Sequence, residues 1–374
     1  MSLLINLLPY RPVATGLSRY SERLLQGWTQ ACGAEVPRQL RIDAAGKAVL
    51  RRDTSLPQLQ TSRCMRWLQA NALVQHGVPV KELVRQADPS VIYSPFTDFL
   101  FSVRDRPQVI TCHDLIPLHY PSSQRAYWRS RLWLPRHLQA ATKIVAISQA
   151  VADLLVADGL SPNRIAVIPN GIECVDDPID QPISQDVMLL ARHGVNKNVA
   201  LALKGFARLL ALEPGWTGRL RIVGGHSQTT KRLLALADDL GVAGHVDWIQ
   251  HLEPNQLELF LRGSFCLIST SLMEGFDYPL FEAQARGVPT LASRIPVHEE
   301  LHRDTALLFE LDDEGVSLAE AMRQLARDPL LWRQLSQTGL IHARTFSIQR
   351  QISSLNSLLL EVSERAQSSS SSRM

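Results

Sequence analysis

Two glutamates stand eight positions apart in the segment Glu274-Gly-Phe-Asp-Tyr-Pro-Leu-Phe-Glu282. The apolar residues 265–268 predict a buried strand before them. Pro279 suits the first turn of a helix that Gly287 ends. Glu274 is therefore expected in the loop after the strand, and Glu282 in the first turn of the helix. Ionised carboxylates only accept hydrogen bonds, so the pair suits a ligand that is rich in hydroxyl groups.

The expected position of this pair is one where ligands bind. In open α/β sheets the ligand lies at the carboxyl ends of the strands, and the N-terminus of a helix favours an anion. A sugar nucleotide has both the hydroxyl groups and the anionic part. The alternative is that Glu274 and Glu282 are solvated surface groups, as two glutamates around a turn commonly are.

A pair of cations follows another predicted strand, residues 187–191. Arg192 and Lys197 are expected over the carboxyl end of that strand, because a helix is predicted to begin near Asn198. An arginine can bind two phosphate oxygens at once, and a lysine acts as a point charge. The alternative is again two solvated surface groups.

Three further candidates follow predicted strands. Gly16 opens a helix after the first strand, where a glycine lets a backbone amide approach a phosphate. His113 follows the strand 108–112, and Gly225 follows the strand 219–223. Each also has a structural explanation, because turns use glycines and a histidine at a strand end is often a hydrogen-bonded structural residue.

These segments resemble the retaining glycosyltransferases of family 4. Glu-Gly-Phe-x-x-Pro-x-x-Glu resembles the Glu-x7-Glu signature of that family, and Arg192 and Lys197 resemble its Arg-x4-Lys-Asn motif. The segment from Thr15 to Tyr20 resembles its Gly-Ile-Gly-Arg-Tyr start, with Ser18 replacing a usual glycine. His-Asp-Leu-Ile-Pro, from position 113, matches a further segment. The resemblance extends over roughly 15–30, 110–172 and 187–300.

The resemblance implies the GT-B fold, in which two Rossmann-like α/β domains face each other across a cleft, and it implies roles for the candidates. It assigns them to the diphosphate (Gly16, Arg192, Lys197), the ribose (Glu282) and the sugar (Glu274, His113) of a nucleotide-sugar donor. Further donor contacts are implied for Gly225, Gly275, Phe276 and Asp277. In this family the two cations take the role of a metal ion, so neither a metal nor a cofactor is expected.

Two departures from the common pattern concern the donor. Asp277-Tyr278 stands where many members have Gly-Leu, and Val297-His-Glu-Glu-Leu301 is also distinctive. Together they resemble members that transfer mannose or a deoxymannose in bacterial O-antigen assembly, which implies GDP-mannose or GDP-rhamnose and an α-linkage to a lipid-linked or lipopolysaccharide glycan. The alternatives are a UDP-sugar donor, a sugar-nucleotide 2-epimerase of the same fold, and a non-catalytic scaffold.

Length and composition agree with a two-domain globular protein. The chain has 374 residues, 45% hydrophobic and 20% charged. Its opening residues lack a basic segment and a cleavage site, so they are expected to form a first strand. The five cysteines are scattered without a C-x-x-C pair, and no histidine spacing indicates a metal site. This pattern favours a reducing cytosol.

Alternating strand-like and helix-like segments predict parallel sheets that are covered by helices. Ile348 stands where the family commonly has tryptophan at the start of the final helix. The expected organisation is an acceptor-side domain (1–172), an acidic linker (173–185), a donor-binding domain (186–345), a helix that returns towards the first domain (346–365) and a disordered serine-rich tail (366–374).

The charge is unevenly distributed. Residues 1–172 carry 20 lysines and arginines against 11 acidic residues, whereas residues 173–374 carry 19 against 25. Within the basic half, Arg125, Arg129 and Arg136 share one face of a predicted helix and are flanked by tryptophans. This pattern is typical either of a solvated helix or of a helix on anionic lipid. We expect a cytoplasmic protein, peripheral to the inner face of the cytoplasmic membrane, and no nucleic-acid partner.

Overall fold

The computed structural model describes residues 1–10, 16–33, 35–43, 46–54, 78–175, 178–225, 227 and 229–371. Contacts divide the described chain into two units. The first comprises Met1–Leu115, Ser123–Gly171 and Ile348–Met374, and the second comprises Ile116–Ser122 and Ile172–Ser347. Each unit contains one largely or wholly parallel sheet with helices, which confirms the predicted α/β class.

The first unit is built on a seven-stranded sheet in the order β3-β2-β1-β4-β5-β6-β7. All pairs are parallel except β2 with β3. The central strands β1, β4 and β5 are buried along their whole length, as expected of parallel strands that are covered on both faces. The strands are β1 (Leu3–Asn6), β2 (Arg38–Ile42), β3 (Ala48–Arg51), β4 (Val91–Ser94), β5 (Gln108–Cys112), β6 (Lys143–Ala146) and β7 (Ile165–Val167).

The second unit has a six-stranded, wholly parallel sheet in the order β10-β9-β8-β11-β12-β13. The chain leaves β8 in one direction and returns to β11 on its other side, so the order reverses between these two neighbours. Such a reversal is a topological switch point. The strands are β8 (Val187–Leu190), β9 (Leu220–Val223), β10 (Val246–Ile249), β11 (Cys266–Ser269), β12 (Thr290–Ser293) and β13 (Ala306–Phe309).

Helices cover both sheets. Those of the first unit are α1 (Gly16–Cys32), α2 (Val78–Ala87), α4 (Gln124–Ala140), α5 (Gln149–Ala157) and α13 (Ile348–Ser371). Those of the second are α3 (Ile116–His119), α6 (Val199–Leu212), α7 (Thr230–Asp239), α8 (Pro254–Arg262), α9 (Tyr278–Gln284), α10 (Pro296–His302), α11 (Val316–Arg327) and α12 (Pro329–Arg344). Among the described residues, no helix combines the length and hydropathy needed to cross a bilayer.

The final helix, α13, belongs to the first unit and packs against α1. Ile352 and Leu355 are fully buried in the core of that unit. A Cβ atom at Gly27 would lie 2.8 Å from Ile352 Cδ1, so the missing side chain at Gly27 lets the two helices approach closely. The C-terminal helix is thus part of the first core.

Two segments differ from the sequence-based expectation. The predicted disordered tail begins at 366, whereas α13 continues to Ser371, and residues 372–374 lie outside the described chain. Ser368 Oγ donates to Glu364 O (2.8 Å), so this serine bonds back to its own helix. In the predicted linker, Ile179 N donates to Arg286 O of the second unit (2.9 Å), which ties this part of the linker to that unit.

Candidate functional site at the switch point of the second sheet

The loop after β8 carries the two predicted phosphate-binding cations. It passes through a single 3₁₀ turn, Val195–Lys197, and enters α6 through Asn198, which adopts a left-handed conformation (φ 46°). Arg192 is exposed, whereas the Lys197 side chain is only 21% exposed. The turn therefore directs Lys197 inward and leaves Arg192 at the surface.

The loop after β11 lies directly against the loop after β8. Thr270 Oγ1 donates to Lys197 O (2.9 Å), and Leu272 N donates to Asn196 O (2.7 Å). Both loops leave the carboxyl ends of adjacent parallel strands, at the point where the strand order reverses. The predicted cations and glutamate are therefore brought to one edge of the sheet.

An ion pair joins the two loops. Lys197 Nζ lies 2.6 Å from Glu274 Oε1 and 3.9 Å from Asp277 Oδ1. Burial lowers the pKa of Lys197, but the charges of Glu274 and Asp277 outweigh this effect and raise the pKa above its ordinary value. Lys197 is thus a fixed cation beside a carboxylate that is only 10% exposed.

Asp277 sits behind this ion pair in a pocket of protein groups. Its side chain is 1% exposed, and its Oδ2 accepts hydrogen bonds from Ser269 Oγ and from His298 Nε2 (3.0 Å). Burial alone would raise the pKa of the Asp277 carboxyl, but Lys197 and His298 lower it well below its ordinary range. Ser269 and His298 were not predicted to belong to the site.

The remaining predicted residues of this loop have different surroundings. Gly275 is buried, and the Phe276 ring is 2% exposed and stacks on Phe281 with the ring centroids 4.5 Å apart. The ring of Phe276 therefore anchors the loop in the core of the second unit. Glu282 is 8% exposed.

Glu282 is the fifth residue of α9, at the start of the second turn, so it lies about one residue beyond its expected place in the first turn. The helix begins at Tyr278, with Pro279 at its second position, because Asp277 precedes it in a left-handed conformation (φ 63°). Four helical residues therefore come before Glu282. A left-handed residue that is not glycine is uncommon, and the sequence does not mark it.

Two adjacent glycines after β9 differ in their surroundings. A Cβ atom at Gly224 would lie 2.0 Å from Ala191 O, whereas a Cβ atom at Gly225 would meet nothing within 4 Å. Gly225 O accepts a hydrogen bond from His193 N (3.2 Å), so the turn borders the loop that carries Arg192. Gly224 is therefore required by packing, and Gly225 is not.

Two predicted residues, Gly16 and His113, belong to the first unit. Gly16 is the first residue of α1, and Thr15, the first residue of its motif, lies outside the described chain. His113 Nε2 lies 2.8 Å from Pro95 O, and the Tyr20 ring meets the imidazole edge-on with a centroid distance of 4.8 Å. A carbonyl oxygen only accepts, so Nε2 carries the proton and Nδ1 presents a lone pair.

The protonation of His113 follows from its half-buried position. Burial lowers its pKa to about 4, and the hydrogen bond to Pro95 O opposes this only in part. At neutral pH the ring is therefore uncharged. It can accept a hydrogen bond from a ligand hydroxyl through Nδ1.

Comparison with known proteins gives two family matches that follow each other along the chain. Residues 54–175 match the model for Glycosyltransferase Family 4, and residues 184–340 match the model for Glycosyl transferases group 1. The structure of HepE from Anabaena, solved in complex with UDP and glucose, superimposes with a TM-score of 0.72 at 16% identity, covering 96% of this chain and 100% of HepE. At this identity the superposition shows the shared fold.

Curated relatives match the chain over part of their length. The O-antigen chain mannosyltransferase RfbU of Salmonella typhimurium is 26% identical over 214 residues, 56% of this chain and 58% of RfbU. A D-inositol 3-phosphate glycosyltransferase of Acidothermus cellulolyticus is 34% identical over 227 residues, 55% of this chain and 50% of the relative. The chain thus spans about half the length of these two relatives.

The paired glycines after β9 give a test of the turn. Gly224→Ala should lower the free energy of unfolding by about 1–3 kcal/mol, because the new methyl group meets the Ala191 carbonyl. Gly225→Ala is the matched control for folding and should unfold within about 0.5 kcal/mol of the wild type. Urea denaturation of both variants measures the difference, and equal stabilities would contradict the close approach of β9 to residue 191.

Proposed function

The chain belongs to the glycosyltransferases of the GT-B fold, and on that premise we propose that it is a retaining enzyme that moves a hexose from a GDP-sugar to a glycan. The proposed hexose is mannose or D-rhamnose. The proposed acceptor is a lipid-linked or lipopolysaccharide glycan, extended through an α-linkage. The likeness to an O-antigen mannosyltransferase supports this choice, as do Asp277-Tyr278 and the segment 297–301.

The contact between Lys197 and Glu274 carries the proposal. It places a fixed cation beside a buried carboxylate, 2.6 Å apart, at the switch point of a parallel sheet. The cation suits a diphosphate, and the carboxylate suits sugar hydroxyls. A donor with its diphosphate beside Lys197 and its sugar beside Glu274 would use both groups at once.

The proposed chemistry requires stabilisation of the leaving diphosphate. Negative charge develops on it as the sugar departs, and cations and amides that are already in place stabilise that charge without reorganisation. Lys197 is held in position by Glu274, and the exposed Arg192 can reach outward to the phosphates. The resemblance to retaining transferases implies reaction on one face of the sugar, so the proposal does not require a general base.

A donor screen tests the proposed substrate class. Thermal shift with GDP, UDP and their hexose derivatives should show stabilisation by GDP-sugars, because a ligand that binds only the folded state raises its melting temperature. Stabilisation by UDP compounds alone would replace the GDP-sugar donor with a UDP-sugar. Epimerisation of the donor in the absence of an acceptor would indicate a 2-epimerase and not a transferase. No thermal response to any of the nucleotides would overturn the proposal.

Loss of either cation should slow transfer. Arg192→Ala and Lys197→Ala should each reduce turnover on the order of 10²–10³, as losing an oxyanion donor does. Arg192 is exposed, so its removal should leave the melting temperature unchanged, whereas Lys197→Ala also leaves two carboxylates without their cation. Arg333→Ala, an exposed arginine of α12, is the control. Near-normal turnover in folded Arg192→Ala and Lys197→Ala would contradict the proposed role of these cations at the diphosphate.

His113 gives a test of the donor sugar. If its Nδ1 accepts from the outermost hydroxyl, GDP-mannose should be a better donor than GDP-rhamnose, which lacks that hydroxyl. His113→Ala should remove the difference, and His119→Ala, at an exposed neighbour, should keep it. The pKa of about 4 keeps the lone pair available at higher pH, so the preference should stay constant from about pH 6 to 8. A preference for GDP-rhamnose in the wild type would assign His113 another role.

The proposed membrane contact is based on the exposed face of α4. Arg125, Trp128, Arg129, Leu132 and Arg136 follow helical spacing and form one stripe. Trp128 is 65% exposed and Leu132 is 49% exposed, while Leu138 on the other side is buried. Arginines interleaved with large apolar side chains suit an anionic lipid surface. This stripe supports a protein that lies on the inner face of the cytoplasmic membrane without spanning it.

Vesicle binding tests the stripe. The protein should co-sediment with phosphatidylglycerol vesicles, and salt should weaken the binding. Arg125→Gln with Arg129→Gln should weaken it roughly thirtyfold, because each basic residue contributes about 1 kcal/mol near such a surface. Leu330→Ser, which changes a 75% exposed leucine on α12, is the control. Equal recovery on neutral and anionic vesicles would leave α4 as an ordinary surface helix.

A further inference from the structure

His298, near the start of α10, is a fully buried histidine that contacts the carboxylate behind the Lys197–Glu274 ion pair. Its side chain is 0% exposed, and that of Asp277 is 1% exposed. Its Nε2 lies 3.0 Å from Asp277 Oδ2, and its Nδ1 lies 2.8 Å from Ser293 O. Nδ1 also lies 3.3 Å from Ser293 Oγ, but that hydroxyl donates its proton to Ser271 O (2.6 Å). Both ring nitrogens therefore face oxygen atoms that can accept.

The chemistry of those oxygens fixes the protons of the ring. A backbone carbonyl only accepts, so Nδ1 must donate to Ser293 O. An ionised carboxylate also only accepts, so Nε2 must donate to Asp277. Asp277 is ionised here because Ser269 donates to the same oxygen and Lys197 lies 3.9 Å from the other. Acceptor oxygens at both ring nitrogens are the surroundings that suit an imidazolium, which donates from both.

The second oxygen of Asp277 shows why that positive charge matters. Oδ1 accepts no hydrogen bond within the described chain, and it faces the Lys197 ammonium. Lys197 thus has two carboxylates within reach, and it lies against Glu274 at 2.6 Å. Without a cation on the far side, Asp277 would carry an uncompensated buried charge and would attract Lys197 more strongly.

We propose that His298 is a positioning residue that neutralises Asp277 and so keeps Lys197 beside Glu274, available to the donor diphosphate. This inference rests on the proposed function. Asp277 has a positive φ (63°), which glycine adopts without strain, so glycine can replace Asp277 without a backbone penalty. With glycine at position 277 there is no carboxylate for His298 to neutralise.

The relation between the two residues predicts compensation. His298→Gln keeps one donor for Asp277 but loses the charge, whereas Asp277→Gly with His298→Gln removes both charges. The single variant should bind a nucleoside diphosphate about tenfold more weakly than the wild type, since Lys197 is drawn towards Asp277. The double variant should return to within about threefold of the wild type.

Paired ligands separate this effect from a general loss of structure. Dissociation constants are measured calorimetrically for two pairs of ligands, GDP with guanosine and UDP with uridine. The ratio of the two constants within a pair measures how much the diphosphate contributes to binding. His298→Gln should change the diphosphate ratio and leave the nucleoside constant within about twofold. His302→Gln is the matched control, because His302 lies on the same helix, is equally buried and contacts Gln284 (3.2 Å). It should lower the melting temperature without changing the ratio.

A spectroscopic measurement tests the charge directly. Nitrogen-15 imidazole spectra of the wild type at about pH 7 should show His298 protonated at both nitrogens, with the assignment made by its loss in His298→Gln. Burial lowers the pKa of His302 well below its ordinary value, so the same spectra contain a neutral reference ring.

Each outcome bears on one of the two proposals. A neutral His298 would overturn the inference, as would a wild-type diphosphate ratio in His298→Gln or an equal loss in the single and double variants. A wild type that binds neither GDP nor UDP would overturn the proposed function and the diphosphate role of His298 with it. Binding in the wild type with an unchanged His298→Gln ratio would overturn the inference alone.

Discussion

The adjacency of β8 and β11 is the constraint on which the site depends. The two strands are parallel neighbours, and the strand order reverses between them, so their following loops share one edge of the sheet. Hydrogen bonds from Thr270 and Leu272 to the loop after β8 then fix one loop against the other. Lys197 meets Glu274 because of this backbone arrangement. The sheet brings the two loops together, and the side chains then form the ion pair between them.

Sequence alone could predict part of this arrangement, namely that the two loops leave the same edge of the sheet. A strand-like segment before Arg192 and another before Glu274, both in an α/β pattern, place the two residues at the same edge of a parallel sheet. The pairing of β8 with β11, which are not consecutive in the chain, was not predictable in this way. The start of α9 was less predictable. It depends on the left-handed backbone of Asp277, which the sequence does not specify, and Glu282 is consequently the fifth residue of the helix.

Contacts between distant segments were not predictable from local pattern. His298 reaches Asp277 from another helix, and a histidine in a short helix has no signal that distinguishes it from a surface residue. The position of Phe276 in the motif likewise does not show that its ring is directed into the core. The serine-rich end has a disordered composition, yet its helix continues through Ser368, which bonds to its own backbone. In each case the observed conformation is set by contacts or backbone geometry that the local sequence pattern does not contain.

The position of α13 in the first unit has a consequence for how the chain acquires its structure during synthesis. Leu25 and Trp28 of α1 share a core with Ile352 and Leu355. When residues 1–171 have been synthesised, the residues of α13 that complete this core have therefore not yet been added to the chain. The second unit, formed mainly by Ile172–Ser347, is nearly continuous in sequence and emerges whole before α13. The unit whose sequence starts first is thus the last to close, and its apolar α1 surface stays open to chaperones for most of translation.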